Sequence, residues 1–142
     1  MTTWLVADTA HVKDGKIEHK ISEEPLLHVC CNRDHFGHVN VDIDPEVNPD
    51  VVADLLKGLP FEDDSFAAAF ADVPWVESWR WNMKPAIREM LRVAPVAYII
   101  SPWLYGWKGC RPDSVHVSWR PGINHPILFV RYIRSENYEQ NS

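Results

Sequence analysis

Five short apolar runs, most of them closed by an acidic or cysteine residue, set the limits on what this chain can fold into. They are Leu26-Leu27-His28-Val29-Cys30-Cys31, His38-Val39-Asn40-Val41-Asp42-Ile43, Asp50-Val51-Val52-Ala53-Asp54, Phe66-Ala67-Ala68-Ala69-Phe70-Ala71 and Val96-Ala97-Tyr98-Ile99-Ile100. Short runs of this kind are typical of strands buried on both faces. Their polar ends put short acceptor side chains on one edge of a parallel sheet, where ligands bind in open α/β folds. The chain is therefore expected to be an α/β domain whose working site sits on acidic strand ends, Asp42 and Asp72 foremost.

The remaining segments fit around that sheet. Lys84-Pro85-Ala86-Ile87-Arg88-Glu89-Met90-Leu91-Arg92-Val93 predicts a helix, with Pro85 in its first turn and Ile87, Met90 and Leu91 as its apolar stripe. Val115–Trp119 and Ile127–Ile133 flank Pro121-Gly122 and are expected to pair antiparallel. Asp14-Gly15 suits a tight hairpin turn, so residues 1–24 are expected to form a peripheral β-hairpin extension. Residues 135–142 read as a frayed polar tail. At 142 residues the chain fits one domain, 1–142, large enough to bury a core without staples.

Charge and cysteine usage narrow the partners. A net charge of −6 argues against unspecific adhesion to nucleic acid. It is unevenly spread: residues 1–72 hold 15 acidic and 5 basic side chains, and residues 73–142 hold 5 acidic and 9 basic. Three cysteines, two of them adjacent, do not make a disulfide framework, which points to a reducing, cytoplasmic setting. The first residues lack a basic region and a long apolar run, so no signal peptide is expected, and no stretch approaches a membrane span. His28, Cys30, Cys31, His35 and His38 are dense enough to suggest zinc. Adjacent strand cysteines face opposite ways, however, and no Cys-x-x-Cys is present, which favours core and loop roles.

The strand-end acids each carry two readings. Asp42 is placed to accept from the vicinal hydroxyls of a ribose, or to cap a turn. Asp54 can meet an exocyclic amine, or cap the segment after it; Asp44 precedes Pro45 and reads as a turn former. Asp72-Val73-Pro74-Trp75 is sharper, with an acceptor, a fixed backbone and an aromatic face for a planar substrate. Trp75, Trp79, Trp81, Trp103 and Trp107 gather in this region, as do Arg80, Lys84, Arg88, Lys108 and Arg111, which could contact phosphates.

Taken in order, these residues resemble the core of the class I S-adenosylmethionine-dependent methyltransferases over His28 to Pro102. The resemblance rests on Val41-Asp42-Ile43, on Ala53-Asp54 with Leu59-Pro60-Phe61-Glu62-Asp63-Asp64-Ser65-Phe66, on Ala71-Asp72-Val73-Pro74-Trp75, and on Glu89-Met90-Leu91-Arg92-Val93 before the strand ending Ser101-Pro102. It implies a single Rossmann-like domain, mostly parallel, closed by an antiparallel strand pair. It implies S-adenosylmethionine as cofactor, with Asp42 on the ribose, Ile43 on the adenine, Asp54 and Leu55 at the adenine amine, and Cys30 and Asn32 at the end of the first strand. It also implies that Asp72, Pro74 and Trp75 form the transfer site, since they resemble the Asp-Pro-Pro-Trp type motif of enzymes that methylate nucleobase amines.

Two departures stand out. The family's Gly-rich loop and first helix have no counterpart here, because Cys31-Asn32-Arg33-Asp34-His35-Phe36-Gly37 runs almost directly into the next strand and only Gly37 remains of the glycines. Val73 replaces the first proline of the transfer motif, and Ala67 stands where the family often has an acid. The expected partner is a nucleic acid or a small planar substrate, not a membrane. The alternative is a catalytically inactive binding or scaffolding module that kept the fold. A domain this trimmed is also a candidate to cover surface by homodimerising or by binding a partner protein.

Overall fold

The computed structural model describes residues 3–5, 10–13, 16–19, 21–119 and 121–135, with side chains from residue 21 onward apart from residue 120. Among the described residues there are ten strands and one α-helix: β1 (Thr3–Leu5), β2 (Ala10–Lys13), β3 (Lys16–His19), β4 (Leu26–Val29), β5 (Val39–Asp42), β6 (Val51–Val52), β7 (Ala68–Asp72), α1 (Met83–Val93), β8 (Val96–Ser101), β9 (Cys110–Trp119) and β10 (Ile127–Arg134). Eight of the strands form one sheet in the order β1-β9-β10-β8-β7-β4-β5-β6.

The five apolar runs are β4, β5, β6, β7 and β8, and every pairing among them is parallel. β10 runs antiparallel to both β8 and β9, which gives the expected closing pair. The chain leaves β4 in one direction, through β5 to β6, and then returns to the other side of β4 for β7 and β8. That reversal opens a crevice at the carboxyl ends of β4 and β7, the place where open α/β sheets take ligands.

The N-terminal segment differs from expectation. β2 and β3 do pair as a hairpin around positions 14 and 15, but Thr3–Leu5 joins the main sheet by pairing with β9. Three residues carry too little periodicity to be read as an edge strand; the long β9 supplies the template. The Asp14-Gly15 turn itself and the tail beyond residue 135 lie outside the described residues. β9 also begins earlier than expected, at Cys110, because its register with β10 continues across an irregularity between Arg131 and Tyr132.

Residues 30–38 connect β4 to β5 without a helix, in line with the sequence. The other crossovers are also spare: 3-10 turns at Pro45–Val47 and Leu55–Lys57, and a third, Glu77–Asn82, that leads into α1. Among the described residues α1 is the one α-helix. It covers a single sheet face, burying Met83, Ala86, Ile87, Met90, Leu91 and Val93 against Leu27, Val29, Ala69, Ala71, Ala97 and Ile99. The opposite face is aromatic. Phe70, Tyr98 and Phe129 lie there with Leu26, Ala68 and Val96, and His28 packs 4.9 Å from the Phe70 ring.

The 30–38 connection replaces the missing helix with specific polar contacts. The Leu26 N–H donates to His38 Nδ1 at 3.0 Å, and the His38 N–H donates to Leu26 O at 2.8 Å. The Phe36 N–H donates to His28 Nδ1 at 3.1 Å, and the Phe36 ring stacks on His28 at 5.2 Å. Both histidines therefore use Nδ1 to hold backbone. Gly37 sits so close that a Cβ there would lie 2.6 Å from Val39 O and 2.7 Å from His28 N. It is a packing glycine, held tight by backbone where the loop returns to β5.

A second clamp ties residues 59–63 to α1. Glu89 accepts the Leu59 N–H and pairs with Arg92, whose guanidinium also donates to Leu59 O, Phe61 O and Asp63. Burial of Glu89 alone would raise its pKa, but the bonds from Arg92 and Leu59 outweigh it and hold the carboxyl below its usual value. The Leu59-Pro60-Phe61 run is thus fastened under the helix that follows β7.

Two substitutions test these clamps by urea denaturation. Gly37→Ala is expected to lose about 1–3 kcal/mol, because the added methyl must displace backbone. Glu89→Gln is expected to lose about 2 kcal/mol through a weakened charged network. Unchanged midpoints would contradict the stated contacts.

Candidate functional site

The crevice at the reversal point is a cavity of about 460 Å³. That falls within the range of roughly 300–1,000 Å³ of small-molecule sites. Its walls come from the ends of β4, β5, β6 and β7 and include Val29, Cys30, Asn32, Asp42, Ile43, Asp54, Leu55, Asp72 and Pro74. The fold thus brings together eight of the nine residues singled out from sequence. Trp75 is the exception.

Asp42 organises the floor. Its Oδ2 accepts the Asn32 N–H at 2.8 Å and its Oδ1 accepts the Asp44 N–H at 2.9 Å. The carboxylate thereby joins the loop after β4 to the turn after β5. An ionised carboxylate has about four lone-pair sites, so two remain after these bonds. Asp42 is both a turn-holding acid and an acceptor facing the cavity, so the two readings are not exclusive. Asp44 behaves as the sequence suggests, accepting the Glu46 N–H at 2.9 Å to cap the Pro45–Val47 turn.

The loop after β4 has a conformation usually reserved for glycine. Cys30 and Asn32 have φ of 51° and 49°. Left-handed backbone costs an ordinary residue roughly 1–2 kcal/mol, and asparagine tolerates it better than most. Both residues line the cavity, and the Cys31 N–H between them is anchored on Val41 O at 3.1 Å. Positive φ, which glycine adopts most readily, is therefore met here at two non-glycine residues. The Asp42–Asn32 bond is one of the contacts that hold this backbone.

An apolar wall stands beside the carboxylates. Ile43 is 63% exposed and Leu56 is 39% exposed, and both line the cavity. Leu55 also lines the cavity, with its side chain largely buried in the core. Leu56 takes the exposed place, because Asp54 Oδ1 accepts its N–H at 2.9 Å and turns the chain over. Leu56 was not legible as a site residue: a one-residue shift in a 3-10 turn decides which leucine faces out.

The acidic end of β7 forms another wall. Asp72 is exposed and borders both this cavity and a neighbouring one of about 170 Å³ formed with His28, Cys31, Phe36 and Ile100. Pro74 lies beside it. Trp75 Nε1 donates to Ile100 O at 3.3 Å, and the ring meets His125 edge-on at 6.4 Å. This fixes Trp75 at the end of β8, off the main cavity. The tryptophan lining the cavity itself is Trp79, from the 3-10 segment.

The cysteines are not charged groups at neutral pH. Burial, reinforced by Asp42 and Asp72, pushes the Cys30 thiol up to about 12. Burial, with Asp42 adding, raises Cys31 to about 11, and burial alone raises Cys110 to about 12. All three are free thiols. Among the described residues no group of His, Cys, Asp and Glu side chains could hold a metal ion, and no helix is long and apolar enough to cross a membrane.

By sequence the chain matches no family model and no curated protein. By fold it is similar to PH1948 from Pyrococcus horikoshii, a protein assigned as an RNA methyltransferase, at a TM-score of 0.52 and 10% identity over 79% of this chain and 73% of that one. The PH0226 protein from Pyrococcus horikoshii OT3 is similar at 0.50 and 16% identity, over 78% of this chain and 81% of that one. TrmN from Thermus thermophilus is similar at 0.51 and 15% identity, over 76% of this chain but 43% of that one. The mostly parallel sheet, its reversal point and its antiparallel closing strands give the chain the class I methyltransferase fold.

The thiols generate a pH prediction. A buried thiol kept protonated in the fold, but free to ionise near 9.0 when unfolded, binds more protons in the native state. Stability is then complete below pH 9 and is lost as pH rises towards the folded values. By pH 10 the loss should be about 1 kcal/mol for each of Cys31 and Cys110. Urea titrations at pH 7 and pH 10 should show it, and Cys110→Ala should shrink the difference; a flat profile would contradict the burial.

Proposed function

We propose that this chain binds S-adenosylmethionine in the cavity between β4, β5, β6 and β7 and methylates an amino group of a nucleobase or a similar planar amine. The observation that carries the reading is the arrangement around Asp42. A carboxylate with two spare acceptor sites faces the reversal-point cavity, next to an exposed apolar wall and in the same cavity as a second acid, Asp72.

The residues divide the work. Asp42 accepts from the ribose hydroxyls with its remaining lone pairs. Ile43 and Leu56 flank the adenine, and Asp54 accepts from the ring amine with the oxygen not used in its cap. The left-handed backbone at Cys30 and Asn32 lets the chain approach the methionine end closely. The neutral Cys30 thiol adds no charge there.

Once bound, the cofactor supplies an electrophilic sulfonium methyl group. The chain's own contribution is to bring the acceptor nitrogen in line with it. Asp72 and the adjacent backbone carbonyl accept from the target amine, which orients the nitrogen lone pair and holds the departing proton. Trp75, pinned by Ile100, presents a ring edge or face to the planar substrate, with Trp79 closing the cavity side. Positioning of this kind can account for much of the barrier reduction in a displacement that needs no covalent intermediate. The name of one fold neighbour, an RNA methyltransferase, favours a nucleobase over other planar amines. The free thiols suit a reducing compartment, and the cytoplasm is the location we infer.

Calorimetry with S-adenosylmethionine tests the reading. One site is expected on the wild type, and Asp42→Ala should abolish it. Ile43→Asp changes a side chain that is already 63% exposed, so it should leave folding intact. It should weaken binding by about tenfold or more, equivalent to at least about 1.4 kcal/mol. A folded wild type that takes up no S-adenosylmethionine would refute the proposal.

A further inference from the structure

We propose that the outer face of α1 and the 3-10 turn before it form a track for an unpaired nucleic-acid strand, leading a base to the Asp72–Trp75 segment. The inference rests on the reading of the site as one for a nucleobase amine and names the form in which that base arrives.

Arg92, Arg131 and Arg134 are committed to structure: Arg92 pairs with Glu89 and Asp63, Arg131 with Glu23 and Asp113, and Arg134 with Asp64. Lys84 and Arg88 meet no carboxylate among the described residues. They are exposed on the face of α1 opposite its buried stripe, one helical turn apart. Like charges at this spacing repel, so the arrangement favours an anion that bridges them.

Both cations rest on one indole. Lys84 Nζ lies 5.3 Å and the Arg88 guanidinium 5.9 Å from the Trp107 ring centroid. Arg80, nearer the site, lies 5.0 Å over the Trp81 ring. Its one acidic contact is a 3.4 Å surface pair with Glu77, which a phosphate can replace at little cost. The backbone carries the same order. Arg80 O accepts the Tyr105 hydroxyl at 3.0 Å, which fixes the turn, and Trp79 one residue earlier lines the cavity.

The result is a row of cations that starts at the cavity wall and proceeds down α1 in steps of about 6 Å per four residues. That step is comparable to the spacing of phosphates along an extended strand. Arg88 and Trp107 end the row at a separate hollow of about 290 Å³. Trp81, 73% exposed, offers a stacking face to an unpaired base. Cations interleaved with an open aromatic ring suit single strands, where bases are free to stack.

Fluorescence-anisotropy titrations with short RNA and DNA single strands, and with duplexes of the same sequence, test the track. Single strands should bind more tightly than duplexes. Lys84→Gln with Arg88→Gln should weaken single-strand binding about tenfold and lower the salt dependence, log K against log salt, by about 1.4, at about 0.7 per lost phosphate contact. Trp81→Ala should weaken binding without changing that slope, since it removes stacking and no charge. S-adenosylmethionine calorimetry on the double variant should match the wild type. Equal affinity of the double variant and the wild type for single strands would overturn the inference. So would preference for duplex, or equally effective competition by polyglutamate. Wild type that binds the cofactor but no strand would overturn the track and leave the proposed function standing. Strand binding without cofactor binding would do the reverse.

Discussion

The Asp42 carboxylate joins two turns that would otherwise be independent. One oxygen takes the Asn32 N–H and the other takes the Asp44 N–H, so the loop leaving β4 and the turn leaving β5 are held as one surface. Hydrogen bonds to a charged group are worth about 1.5–3 kcal/mol each, comparable to the strain of the left-handed residues that flank Cys31. Without this acid the loop after β4 would have less to hold Asn32 at a φ of 49°, and the cavity would lose a wall. Asp42 thus carries a structural duty and an outward acceptor surface at the same time.

This constraint explains how a parallel sheet survives with so few helices. Parallel strands usually need a crossover of a dozen or more residues, most often helical. Here residues 30–38 make the first crossover, held at the top by Asp42 and at the bottom by His28, His38 and the side-chain-free Gly37. Side-chain acceptors do the work that helical hydrogen bonds do elsewhere. The helix that remains, α1, follows the strand carrying Asp72. It buries the α1-side core, fastens residues 59–63 through Glu89 and Arg92, and leaves Lys84 and Arg88 on its outer face.

Much of the sheet was legible because bare apolar runs ending in acids have few other uses. Leu26–Val29, Val39–Asp42 and Val96–Ser101 are strands with ends close to those expected, and Met83–Val93 is the expected helix. The edge strand Thr3–Leu5 was not legible, since the ladder it joins belongs to β9, distant in sequence. In the site, Asp42, Asp54 and Asp72 declared themselves by lying at strand ends. The glycine-like turn did not, because φ at Cys30 and Asn32 is imposed by tertiary bonds that no local pattern encodes. The same limit applies to Leu56 and Trp79, whose facing depends on 3-10 turns, and to Gly37, whose role is close packing and not backbone freedom.

The central claim is that the Asp42-centred cavity is a cofactor site. Backbone amide NMR during titration with S-adenosylmethionine tests it residue by residue. Shifts are predicted to concentrate at Cys30–Asn32, Asp42–Asp44, Asp54–Leu56 and Asp72, with little change along β9 and β10. Saturating cofactor with no shifts at these amides, or with shifts confined to the hollow beside Arg88 and Trp107, would contradict it.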